Sequence, residues 1–400
     1  MLTSDLVHAI DDDPFSLALL DDPYPFYRRL REDASVAFLR AHDCFAVGRH
    51  DLVQEVMSTW ADYSSAAGVG LANFRRETPW RPPSIILEAD PPLHTRTRAV
   101  LMRALSPGAI KLLRARFEAE ADALIDRLVA QRDIDAVRDL AEVYPVKVFP
   151  DALGLAAEGR ENLLPYGTMV FNSFGPRNAI AAASLENLAP VRDWIMQSCM
   201  REALSDDGIG AQIYAAADAG ELEPHEAPLL IRSFLSAGVD TTVGALSTAL
   251  WCLAANPDQW ALLRADPGLA RNAFEEAVRF ETPTQVFFRT TTRDVTLGGV
   301  SIPDNSKVAA FLGAANRDPR RWDEPDAYRI TRRAAGHAGL GFGIHGCVGQ
   351  SIARLEGESI LSALARKAAR ITLTGAPQRR YINVLRGFAS LPMRLEPAAG

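Results

Sequence analysis

Residues 227–256 make the longest apolar stretch of the chain. As a helix rising ~1.5 Å per residue they would run about 45 Å, enough to cross a protein of this size. Arg232 and Asp240 interrupt the stretch, so it reads as an interior helix and not as a bilayer span. With 48% hydrophobic residues among 400, the chain can build a large core around it. No serine- or glycine-rich linker, low-complexity tract or internal repeat divides the sequence. The expectation is one mainly α unit over residues 1–400, helical over 85–280 and 348–368. Small β-rich parts are expected near 30–60, 285–310 and 370–396.

Within that helix, SAGVDTT puts a glycine, an acid and two hydroxyls where propensity favours leucine or alanine. Such local rule-breaking marks either a function or a capped kink with a solvent-linked aspartate. Ser233, Ala237 and Thr241 share one helix stripe, Ser233 lying about 12 Å from Thr241 along the axis. Arg232 and Ser236 lie on the neighbouring stripe, where Arg232 could cap an anionic group.

A second constraint is GLGFGIHGCVGQSIARLE, residues 339–356. Glycines at 339, 341, 343, 346 and 349 give a backbone free to take positive φ and to lie against something flat. The apolar spacing after Gln350 predicts a helix, so Cys347 stands at its mouth, where the helix dipole favours a thiolate. Cys44, Cys199 and Cys252 read as small buried hydrophobes. Zinc would need four ligands in paired spacings, and these cysteines are scattered singly. A thiolate in such a loop suits a soft or borderline metal, haem iron among them.

Elsewhere, EADPPLHTRTRAVL predicts a helix begun by Pro91 and Pro92, with His94 and Arg98 four residues apart on one face. That pair fits a surface decoration or a site for an anion. Trp60 to Ser84 is punctuated by glycines and prolines and reads as a long loop. FNSFGP ends a helix and leaves Phe171 and Phe174 near its end. Glu276 and Arg279 form an i, i+3 pair, weak alone. The N-terminus MLTSDLVHAIDDDPF is acidic, which speaks against a signal peptide or membrane anchor. Unpaired cysteines suit a reducing compartment, hence a cytoplasmic protein. A net charge of −7 argues against nucleic-acid binding.

Taken in order, these stretches resemble the cytochrome P450 family. The cysteine loop is similar to F-G-x-G-x-H-x-C-x-G, matched at Gly341, Gly343, His345, Cys347 and Gly349 with Leu340 in place of the phenylalanine. DPPLHTRTR resembles the family helix that clamps a haem propionate, and AGVDT resembles A-G-x-D-T. The resemblance implies the cytochrome P450 fold, a large helical domain with small β-sheets, and haem b held by Cys347. His94, Arg98, Arg289 and His345 would meet the propionates. Asp240, relaying protons through solvent, and Thr241 would deliver them where dioxygen is activated, and Gly238 would let the helix open. Glu276, Arg279 and Arg332 would form a buried cluster supporting the cysteine loop. The long loop would fold over the distal side, with Phe174, Thr284 and Phe287 facing substrate.

The implied activity is a monooxygenase using O2. No flavin or iron–sulfur module is visible, so electrons would come from an iron–sulfur ferredoxin with an NAD(P)H-dependent ferredoxin reductase. A peroxygenase would not need Asp240 and Thr241, while a haem-based sensor or carrier is the non-enzyme alternative. PWRPPSIILEADPP, LLPYGTMVFNSFGP and RNAFEEAVRFETP resemble the bacterial branch that oxidises para-substituted benzoates, 4-methoxybenzoate demethylation included. In that branch an arginine and serines of the early loop help hold the carboxylate. In SSAAGVGLANF the corresponding places are expected at Ala67 and Ala72, leaving Arg232, Ser233, Ser236 and Ala237 to line a ring-sized pocket. A neutral phenol or methoxyarene is therefore the alternative substrate.

Overall fold

The computed structural model describes residues 7–79 and 81–398. Trp80, part of the long loop and of the PWRPPS stretch, lies outside them, as do the first six residues of the acidic N-terminus.

The interior helix forms in two pieces, Glu226–Ala237 and Asp240–Ala255, separated by a two-residue break at Gly238 and Val239. One helix was expected, with Gly238 letting it open. The break falls in the SAGVDTT stretch, where packing also demands a glycine. A Cβ on Gly238 would stand 2.4 Å from the Phe149 ring, so glycine is required for that ring to reach the helix. Taken together, residues 226–255 are long and apolar enough to cross a membrane, yet most of that stretch is buried inside the protein.

Helices surround this axis. Pro107–Gln131 packs along Gln350–Lys367, which also packs on Ala270–Glu281. One contiguous apolar core runs from Ile10 to Leu395 through these elements. A six-stranded sheet lies to one side, its strands running edge to edge His8–Ile10, Ala37–Leu39, Cys44–Val47, Lys307–Phe311, Val286–Thr291 and Tyr63–Ser64. Smaller sheets join Ala368–Leu373 with Pro392–Pro397 and Asp133–Asp135, and Gln378–Tyr381 with Arg386–Ser390.

The Trp60–Ser84 loop is tied down along its described length. Leu71 N–H donates to Phe174 O at 2.8 Å and Phe288 N–H to Val69 O at 2.9 Å. Buried Lys307 donates to Gly68 O at 2.6 Å. A Cβ on Gly70 would lie 2.6 Å from Phe174 Cα, so only glycine lets the loop lie flat against the end of the Leu163–Asn172 helix.

Candidate active site

The cysteine loop begins with a 3-10 turn at Ala338–Leu340 and ends where Gln350–Lys367 starts. Cys347 N–H donates to Leu340 O at 2.7 Å. That bond is made by backbone and does not depend on the side chain at 340. Gly341 and Gly343 take φ of +70° and +63°, and a Cβ on Gly343 would lie 2.7 Å from Ser58 Cα. Burial pushes the Cys347 thiol up, against the pull of the Gly349 N–H, Arg98 and Arg354. Those three groups are what a thiolate ligand would use.

Behind the loop stands the charged cluster. Arg279, fully buried, donates to Glu276 at 2.7 and 2.8 Å, and Arg332 Nε donates to the same carboxylate at 3.0 Å. Arg279 also donates to Asn316 O at 2.8 Å, and Asn316 Oδ1 accepts from Ala338 N–H at 2.6 Å. The cluster thus reaches the first residue of the cysteine loop through one asparagine.

Four basic side chains converge beside the cysteine. The His94 and His345 rings lie 4.3 Å apart, and the buried Nε2 of each has no hydrogen-bond partner. Arg98 donates to Gly346 O at 2.6 Å, and Arg289, 2% exposed, donates to Phe288 O at 2.8 Å. Burial, with Arg289, His94 and Arg98 around it, pushes the His345 imidazole down to about 2. Burial likewise lowers the Arg289 guanidinium to about 10, partly offset by Asp90. Unsatisfied nitrogens among crowded cations are the partners that two propionate carboxylates require. The residues therefore fit haem, with Cys347 as ligand.

Asp240, next to Thr241 in the chain, is buried and does not itself line the cavity. Its Oδ1 accepts from Arg380 at 2.6 Å and its Oδ2 from Thr168 at 3.1 Å. Burial raises the Asp240 pKa, while Arg380 and Thr168 pull it back. Arg380, the partner of the acid expected to relay protons through solvent, has 24% of its side chain exposed. Thr241 faces the cavity, its hydroxyl donating to Ala237 O at 2.9 Å.

The cavity between these walls is lined by Phe174, Arg232, Ser233, Ser236, Ala237, Thr241, Thr284 and Phe287, among others. Ala67 and Ala72 do not line it. Their places are taken by Arg81 and Ser84, later in the same loop. Arg81 forms a two-pronged pair with Glu88 at 2.9 and 3.2 Å, and Ser84 Oγ lies 2.9 Å from Ser233 Oγ. Arg232 donates to Pro82 O at 3.1 Å and Pro83 O at 3.4 Å, and no carboxylate pairs with it among the described residues. The sequence signal for Arg81 and Ser84 was their place in WRPPS, just ahead of the helix bearing His94.

A helical protein that presents a cysteine from a glycine loop beside four basic side chains, with an acid and an alcohol at the break of its long helix, has the features of a haem-thiolate protein. This chain belongs to the cytochrome P450 family, and its cofactor is haem b. The family profile described as Cytochrome P450 matches residues 268–367. The chain is 56% identical to cytochrome p450 CYP199A2 of Rhodopseudomonas palustris, over 96% of this chain and 94% of that one. It is 30% identical to cytochrome P450 107B1 of Saccharopolyspora erythraea, over 95% and 96% of the two chains. Among solved structures, cytochrome P450 CYP109Q5 from Chondromyces apiculatus superposes with a TM-score of 0.82 at 27% identity, covering 99% of this chain and all of that one. The protein is a cytochrome P450 monooxygenase.

Proposed function

We propose that the substrate is a para-substituted benzoate and that the reaction is hydroxylation or O-demethylation of its para substituent, in a cytoplasmic enzyme fed by a ferredoxin and its NAD(P)H-dependent reductase. The observation that carries this reading is the polar end of the cavity. Arg81, Ser84, Arg232, Ser233 and Ser236 gather there within walls otherwise made of Phe171, Phe174, Phe287 and aliphatic side chains. Glu88 neutralises Arg81, whereas Arg232 is bonded only to carbonyls among the described residues. One uncompensated guanidinium beside three serines suits one carboxylate, and the apolar remainder suits an aromatic ring.

Haem with a cysteinate ligand supplies reductive activation of O2 and insertion of one oxygen atom into a C–H bond, the other leaving as water with two electrons and two protons. The chain's own residues orient the ring, keep bulk water from the cavity, and hold a proton at Asp240, the residue before Thr241. Where the para group is methoxy, hydroxylation of its methyl gives a hemiacetal that releases formaldehyde and leaves the phenol.

The test is a ferric spin-state titration with 4-methoxybenzoate and with 4-methoxyphenol. The benzoate should shift the spectrum at lower concentration, and Arg232→Leu should weaken it by about 10- to 100-fold, the range for a hydrogen bond to a charged group. A shift with the phenol alone would replace the benzoate with a neutral substrate.

A further inference from the structure

The hydroxyls that line the cavity are nearly all spent on protein partners. Ser84 and Ser233 bond each other, and Ser236, Thr241 and Thr242 donate to Ser233 O, Ala237 O and Gly238 O. Among the described lining residues two hydroxyls have no protein partner, those of Tyr166 and Thr284. Tyr166 stands with Arg81 and Arg232, which act on its titration, and so belongs to the polar end. Thr284 does not.

Thr284 follows Pro283, which packs at the position of a Gly244 Cβ (3.5 Å), one turn past Thr241. From Ser233 to Gly244 is a run of ~16 Å at 1.5 Å per residue. Thr284 therefore faces the end of the cavity opposite the guanidiniums. Its side chain is 93% buried, yet the hydroxyl is not among the polar atoms sealed off without a partner, so it opens to the cavity. Phe287 and Ala237 line the same cavity. Valine has the same shape and, once a ligand has displaced water from the cavity, would avoid the cost of leaving a hydroxyl unpaired there. A polar group kept at that expense signals a polar partner on the ligand.

We propose that the Thr284 hydroxyl donates a hydrogen bond to the ether oxygen of a para-alkoxy substituent, so that this site selects aromatic ethers over alkylbenzenes of equal shape. The inference rests on the reading of a ring lying between the guanidinium end and Thr241. Its chemical content is a second polar contact, at the reacting end, that distinguishes O–CH3 from CH2–CH3.

The test compares two isosteric ligand pairs in wild type, Thr284→Val and Thr284→Ser, using spin-state titration to obtain dissociation constants without turnover. The pairs are 4-methoxybenzoate with 4-ethylbenzoate and 4-methoxyphenol with 4-ethylphenol. Wild type should favour the methoxy member by about three- to tenfold, the yield of one neutral hydrogen bond. The preference should vanish in Thr284→Val and persist in Thr284→Ser. An equal methoxy-to-ethyl ratio in wild type and Thr284→Val, or no spectral shift with any of the four, overturns the proposal. Equal affinity for benzoates and phenols overturns the carboxylate reading alone, because the Thr284 comparison is then read from the phenol pair.

Discussion

Replacing Glu356 by glutamine should change how stability varies with pH. Glu356 lies on the Gln350–Lys367 helix, is fully buried, and neither carboxyl oxygen receives a hydrogen bond. Thr242 is close enough to pull its pKa part of the way back, but the threonine hydrogen is directed at Gly238 O. Burial dominates and raises the Glu356 pKa from 4.5 to about 8. Because the folded-state pKa lies above the unfolded one, the folded protein keeps a proton that the unfolded chain releases. The stabilisation is complete below the unfolded pKa and is lost as pH rises toward the folded value. Between about pH 5 and about pH 8 the linkage amounts to roughly 3.5 kcal/mol, three pH units at 1.36 kcal/mol each less the partial titration at the two ends. An unfolding entropy of ~2.1 cal/mol/K per residue converts that into about 4 °C in Tm for a chain of this length. Thermal melting of the haem-loaded proteins, followed by circular dichroism, should therefore show Glu356→Gln gaining about 4 °C on wild type as pH rises over that range. A constant difference between the two melting curves across the range would mean that Glu356 is not a buried neutral acid.

Arg380→Ala removes the cation from a buried aspartate, so Asp240 should move further up in pKa and lose its link to the surface. The expected outcome is retained haem and substrate binding with fewer product molecules per reduced nicotinamide consumed, the balance appearing as peroxide; unchanged coupling would refute a role for Arg380 in positioning the acid. Arg279→Lys keeps the charge but loses the two-pronged pair with Glu276 and most of the bonds to Asn316, Pro325 and Ala327. Hydrogen bonds to a charged group are worth about 1.5–3 kcal/mol each, so haem retention after dilution should fall sharply, and a variant with wild-type retention would contradict the chain of bonds to the cysteine loop.

What could be read from the sequence was chemistry compressed into short spacings. Cys347 with its glycines, His94 with Arg98, Asp240 with Thr241, and Glu276 with Arg279 each sit within one turn or one loop, and the structure brings each set together as spaced. Long-range partners left no such mark. Arg380 meets Asp240 across 140 residues, and Thr168 meets it across 72. Arg81 and Ser84 lie in a proline-broken loop with no period to assign a face, and nothing local marked them, rather than Ala67 and Ala72, as the part of that loop that lines the cavity. The Phe149 ring that requires glycine at 238 comes from a different helix and left no mark in the local spacing.

The Gln378–Tyr381 strand shows how such remote contacts are organised. Successive side chains of a strand point to opposite faces. Arg380 accordingly turns to Asp240, while Arg379 turns to Glu281 at 3.1 Å. Its hairpin partner supplies Arg386, 2.8 Å from the same glutamate, and Arg317 lies 3.7 Å away. Three guanidiniums offset the burial of Glu281 and hold its carboxyl below the ordinary range, with Tyr24 donating at 2.5 Å. Gly387 of the hairpin meets Gly244 so closely that a Cβ would lie 3.3 Å from its Cα, which fixes the hairpin against the helix bearing Thr241. Glu281 ends the helix that also carries Glu276 and Arg279. One helix therefore braces the cysteine loop through its middle and the Asp240 partner through its end. A change at Glu281 should disturb the acid side without breaking the bonds from Arg279 to Asn316, whereas a change at Glu276 should do the reverse.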